Sequence, residues 1–204
     1  LYKQYSALHA GDYEPTARQF YTGNTSLKRK WLQISGGFDT NFLRAEDVEL
    51  AYRLSDHGLE FVFAPEAIGY HYANRSFKSW FAIPYAYGKN DVIFALEKGQ
   101  SWLLPFTFRS FLGRNLFIIL FTLILLDRVW LSKFVVGVFR FIAWFGAWMH
   151  IEALSRFSYS FIFNFQYYQG VSDELGGRDR FFEEVKKART IVNDAKKAKM
   201  AQQK

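Results

Sequence analysis

Two adjacent carboxylates, Glu46 and Asp47, stand directly ahead of a stretch in which Leu50 and Leu54 lie one helical turn apart. A helix repeats its faces every three to four residues. A pair at its start, reached through the glycine turn Gly36-Gly37, therefore faces a cleft rather than the packed side of the helix. Such a pair can serve as a general base and its orienter. The same residues have a plainer role open to them, Asp47 as an N-cap and Glu46 as a solvated first-turn acid facing the positive end of the helix dipole. His71 adds one imidazole, either a metal ligand or a packed ring. The 204 residues contain no cysteine. A disulfide scaffold, a Cys-ligated zinc, a thiol nucleophile and an iron–sulfur cluster are thereby excluded, and any metal must bind through oxygen and imidazole.

The elements that must position these groups follow from the surrounding pattern. Glu46 to His57 predicts a helix of about three turns, with acids in its first turn and Gly58 where a left-handed cap belongs. Leu59 to Ala64, stopped by Pro65, predicts a short strand, and Ile68 to Tyr72 a second extended segment. Ser76 to Lys98 predicts a helix interrupted at Pro84. Turn signals fall at Gly23-Asn24, Gly36-Gly37 and His57-Gly58, so the first hundred residues read as mixed α/β.

Five of these elements, taken in order, carry a resemblance. Gly23-Asn24-Thr25-Ser26 is followed by Lys28 and Arg29. Gly36-Gly37-Phe38-Asp39 comes next, then Glu46-Asp47-x-Glu49-Leu50-x-x-Arg53-Leu54, then Phe63-x-Pro65-x-Ala67, and last His71. Over about residues 18 to 95 this resembles the second half of the catalytic domain of family 2 glycosyltransferases, whose fold is GT-A. The resemblance implies an α/β fold, a partial GT-A (Rossmann-like nucleotide-sugar transferase) domain. It implies that Asp47 is the base that deprotonates an acceptor hydroxyl and that Glu46 positions either Asp47 or the acceptor. Asn24, Gly36, Gly37 and Arg53 would contact substrate, and His71 would complete the shell of a divalent cation, Mn2+ or Mg2+. The family's Asp-x-Asp motif and its first strands would precede Leu1, since Asp12-Tyr13-Glu14 lies too close to the Gly-Asn segment to be that motif. The chain is thus expected to begin inside a longer protein; it opens without methionine, basic leader or cleavage site. The Gln-x-x-Arg-Trp signature of processive synthases is absent after His71, which points to addition of a single sugar.

From Trp102 the texture turns apolar. Asn115 to Leu126 and Phe134 to Met149 predict a membrane-embedded helical hairpin over about 111–149, with Asp127-Arg128 at its tip. The excess of basic residues on its flanks places both in the cytoplasm, and the catalytic face with them. The alternative is that these segments pack together as a helical core. Phe157 to Tyr168 reads as interfacial, and 178–204, with nine Lys/Arg against four Asp/Glu, as a basic amphipathic tail that lies on anionic lipid or frays in water. That tail supplies most of the net charge of +7, and no basic and aromatic interleaving outside apolar stretches suggests a nucleic-acid partner. The expected organisation is a transferase segment over 1–98, a membrane hairpin over 101–150 and an interfacial segment with tail over 151–204. Its partners would be a nucleotide-sugar donor, a lipid-linked or saccharide acceptor and membrane lipids. A second functional expectation is a catalytically incomplete, membrane-anchored adaptor.

Overall fold

The computed structural model describes residues 2–72 and 74–202. They form two compact units, Leu1–Asn74 and Arg75–Lys204. The expected break at residue 98 does not coincide with this boundary, because the helix that follows Ser76 packs inside the second unit.

In the first unit, α1 (Tyr2–His9), α2 (Arg29–Ser35) and α3 (Glu46–Asp56) are joined by long irregular connections with single 3-10 turns at Ala17–Gln19 and Thr22–Asn24. The core is small: Leu8, Ala17, Phe42, Leu50, Ala51, Tyr52 and Leu54. The predicted α3 forms as expected and ends at His57, after which Gly58 takes φ 85°.

The α/β expectation fails here. Among the described residues there is no β-strand, so the unit is helical and not a partial GT-A or Rossmann-like domain. Leu59 to Ala64 and Ile68 to Tyr72 run without regular structure, joined by turn bonds from the Ala67 amide to the Ala64 carbonyl (3.1 Å) and from the Ile68 amide to the Glu66 carbonyl (3.0 Å). The physical reason is that a strand is a property of a pair: local composition favours extended backbone, but a ladder needs a second segment to accept its hydrogen bonds. No described segment does so, and Val62, Ile68, Tyr70 and Tyr72 are left exposed.

The second unit holds six helices among the described residues: α4 (Phe77–Leu96), α5 (Leu103–Leu112), α6 (Leu116–Leu125), α7 (Val129–Trp148), α8 (Glu152–Glu174) and α9 (Arg178–Gln202). Ser76 caps α4 by accepting from the Ser79 amide at 3.2 Å. The expected interruption at Pro84 does not divide α4, since Pro84 is buried within one continuous helix. Packing against α8 offsets the one backbone bond that proline removes. The two helices cross where Gly88 of α4 meets Gly170 of α8, each so close that an added Cβ would strike the partner's backbone. Tyr85 donates to Asp173 at 2.8 Å, Tyr167 donates to the buried Asp91 at 2.6 Å, and Lys89 pairs with Glu174 at 3.0 Å around this crossing.

The apolar run before Asp127 is not one rod. α5 and α6, of 10 residues each, bend by 114° at the Gly113-Asn115 break, where Asn115 caps α6 by accepting from the Phe117 amide. A 10-residue helix rises only ~15 Å, half a hydrocarbon core. α7 has 20 residues and is the one unbroken helix among those described that is long and apolar enough to cross a membrane. It packs antiparallel on α8, with the tilted rings of Phe139 and Phe161 4.1 Å apart between centroids and Ser155 donating to the Ala143 carbonyl. In the stretch from Phe157 to Tyr168, expected at an interface, Phe161, Ile162, Phe165 and Tyr168 are buried core, while Phe157 and Tyr159 at its start stay exposed. The first turns of α9 are core as well. Phe181, Val185 and Ala188 are buried in one cluster with Phe108, Phe111 and Tyr168. Asp127 accepts from the Arg178 amide at 2.9 Å and so caps α9.

Candidate functional site

The acid pair sits where the sequence places it, at the first two residues of α3. Its entry is strained: Ala45, the N-cap, takes φ 56°, a left-handed conformation that costs an alanine ~1–2 kcal/mol. Backbone strain of this kind recurs at functional sites, where neighbouring structure holds it in place. Asp47 is not the N-cap. Its Oδ1 accepts from the Val48 amide at 2.9 Å, and the backbone of Thr22 also bonds to its carboxylate. Burial holds the Asp47 carboxyl above its ordinary range, backbone hydrogen bonds, that of Val48 foremost, pull it back, and the adjacent Glu46 charge raises it further. A carboxylate so placed is a stronger base than a solvated one.

Behind the pair, the body of α3 is fixed by Arg53. Its guanidinium grips the buried Glu49 through Nε and Nη2, at 2.9 and 2.7 Å, and donates to the carbonyls of Ser35 and Gly37. This arrangement spends Arg53 on the Gly36-Gly37 turn. Both glycines have positive φ, 75° and 80°, which is why that turn needs them. Glu49, one position of the Glu-Asp motif with no role of its own assigned from sequence, is the anchor of this network. Its spacing of four residues from Arg53 is the signal that exposes it. Asp39 folds the next turn by accepting from the Asn41 backbone and side chain.

On the other side, the Tyr21–Asn24 turn links Asp47 to the segment that carries His71. Thr22 bonds Asp47, Asn24 Nδ2 donates to the Ala67 carbonyl at 2.7 Å, and the Tyr21 ring meets His71 edge-on at 6.1 Å. Thr25 closes the turn by donating to the Tyr21 carbonyl at 2.6 Å. The structure thus gathers Asp47, Asn24 and His71 around one turn, while Gly36, Gly37 and Arg53 form a brace behind them. Thr22 has no distinctive residue type, and its amide contact was invisible in the sequence.

His71 is exposed, and the described residues hold no group of three or more His, Asp or Glu side chains able to ligate a metal. One imidazole does not fit a divalent cation by itself. A cavity of about 380 Å³ is lined by Gly146, Ala147, His150, Glu152, Ser155 and Arg156 at the α7–α8 turn, and neither the acid pair, Asn24, the Gly36-Gly37 turn, Arg53 nor His71 lines it.

Residues 9–170 match the family model described as glycosyl transferase family group 2. No curated protein and no solved structure matches the chain.

Proposed function

Because the chain belongs to glycosyl transferase family group 2, we propose that it is the acceptor-side portion of an inverting enzyme that adds single sugars to a membrane-proximal acceptor. The observation that carries this reading is the Glu46-Asp47 pair at the start of α3, with Asp47 half-buried and its carboxylate steered by the Val48 and Thr22 backbones. In the proposed step the acceptor hydroxyl gives its proton to Asp47 as its oxygen bonds the anomeric carbon. The bond from that carbon to the nucleoside diphosphate breaks, and the diphosphate leaves with the electron pair. Glu46 positions the acceptor beside Asp47, and Asn24 keeps the 67–71 segment against the same turn. The acceptor we favour is a lipid-linked saccharide in surface polysaccharide or glycolipid synthesis, reached from the cytoplasmic side of a membrane.

A divalent cation stays part of the proposal only with further ligands, since His71 alone cannot outcompete water for manganese or magnesium.

The test is Asp47→Asn in the protein as it occurs, assayed with a nucleotide-sugar donor. The amide keeps the shape and can still accept from Val48, but it cannot take a proton. Turnover should fall by ~100-fold or more with donor binding unchanged. Retention of more than about a tenth of turnover would remove Asp47 from the role of base and favour the adaptor reading.

A further inference from the structure

α7 carries two faces that its packing leaves uncovered. Leu131, Phe134, Val138, Phe141, Phe145 and Trp148 recur at alternating spacings of three and four and form an apolar stripe along the whole helix, with Phe134, Phe141 and Trp148 exposed by 68%, 62% and 65%. Phe139, Ala143 and Gly146, on the opposite side, are the ones buried. Along one edge of the stripe run Trp130, Lys133, Gly137, Arg140 and Trp144, all exposed. Lys133 and Arg140 are seven residues apart on that edge. Neither has an acidic partner among the described residues; Lys133 lies over the Trp130 ring and Arg140 over the Phe77 ring. An apolar face flanked by cations is the pattern of a helix lying in a membrane interface, with its cations reaching lipid phosphates.

The contact with Phe77 decides against an upright α7. Phe77 is the first residue of α4, and the Arg140 guanidinium sits 4.4 Å from its ring centroid, midway along α7. If α7 crossed the bilayer, the irregular chain at Arg75-Ser76 and the exposed charges of Arg75, Lys78 and Arg140 would all fall near mid-depth. Backbone without helical or barrel bonding is not tolerated against hydrocarbon, and each such charge is costly there.

We infer that α7 lies in the plane of one leaflet, its Leu131-to-Trp148 stripe in the acyl boundary and Lys133 and Arg140 on the phosphates of anionic lipids. This rests on the reading that the protein works at a membrane. The absence of cysteine makes the test direct. Single variants Leu131→Cys, Val138→Cys and Phe145→Cys of the full chain are spin-labelled, and their depth is measured on phosphatidylcholine vesicles with and without phosphatidylglycerol. An in-plane helix puts all three labels at one depth, ~5–10 Å into the boundary. An upright helix separates Leu131 from Phe145 by ~21 Å. The paired variant Lys133→Gln/Arg140→Gln should bind phosphatidylglycerol vesicles about 30-fold more weakly and pure phosphatidylcholine as before. Depths that step through the bilayer would overturn the inference while leaving membrane attachment intact. No binding to either vesicle would overturn both. Equal depths with unchanged affinity in the paired variant would remove the two cations from the role assigned to them.

Discussion

Gly88→Ala is the substitution the helical unit should tolerate least. A methyl at Gly88 would stand 2.0 Å from the Tyr167 carbonyl oxygen and 2.9 Å from the Val171 amide nitrogen. Ordinary carbon–oxygen contact begins near ~3.3 Å, so α4 and α8 must part by roughly 1.3 Å. Both obstructing atoms are backbone, and no rotamer change clears the way. A gap of that size forfeits about half of the dispersion attraction across the crossing. It also stretches the Tyr85–Asp173 and Tyr167–Asp91 bonds, now 2.8 and 2.6 Å, beyond hydrogen-bonding range. Overpacking costs ~3 kcal/mol, the two bonds ~1 kcal/mol each, and alanine's helix propensity returns ~1 kcal/mol, a net loss of about 4 kcal/mol. Gly137 of α7, with nothing within 4 Å of an added Cβ, is the control. Gly137→Ala should stabilise by ~1 kcal/mol. The reciprocal Gly170→Ala places its methyl 2.1 Å from the Tyr85 carbonyl oxygen, so the double variant should cost less than the sum of the singles, because parted helices already have room. Equilibrium urea unfolding followed by far-ultraviolet circular dichroism measures all four proteins. A loss below ~1 kcal/mol for Gly88→Ala, or strict additivity in the double variant, would refute the close crossing.

Asp47→Asn should also change stability with pH. Burial raises the native carboxyl above its ordinary 3.8, so the folded protein holds that proton more tightly, and the parent loses stability as pH rises from 3.8 through the native value. The variant should lack this loss and be the more stable protein at neutral pH; melting curves that stay parallel across that range would contradict it. Ala45→Gly should stabilise the first unit by ~0.5–1 kcal/mol in a thermal melt, the relief of the left-handed strain less the entropy of glycine, and a loss would show that Ala45 is not strained. Asp127→Ala should cost ~1 kcal/mol by uncapping α9, with hydrogen exchange rising first at the amides from Arg178 onward, and an unchanged exchange pattern there would count against the cap.

Local signals made α3 legible: acids at the start, leucines one turn apart, Gly58 at the end. The brace behind it was half legible, since Glu49 and Arg53 have helical spacing, while the carbonyls that Arg53 also holds lie 16 and 18 residues earlier in the chain. Leu59 to Ala64 misled for a related reason. Three apolar residues before a proline favour extended backbone, but nothing local says whether a partner arrives to make a sheet. The apolar run through Phe117 and Phe121 likewise marked burial without saying against what, and the bend at Gly113-Asn115 turned an expected crossing into two short helices. The meeting of Gly88 with Gly170 was hidden altogether, because the two glycines stand far apart in sequence and neither lies in a turn.

The grip of Arg53 has a consequence for how the acid pair can move. A planar guanidinium, steadied by Glu49 one turn earlier on the same helix, ties α3 to the Ser35 and Gly37 carbonyls at two points and confines any swivel to the line through them. Whatever freedom Glu46 and Asp47 have is thereby pushed into the loop of residues 38–45, and any displacement of the glycine turn is handed to the helix start as a rigid-body shift. A lysine at position 53 would keep the charge and hold only a single point, giving α3 back the rotation that the fork removes.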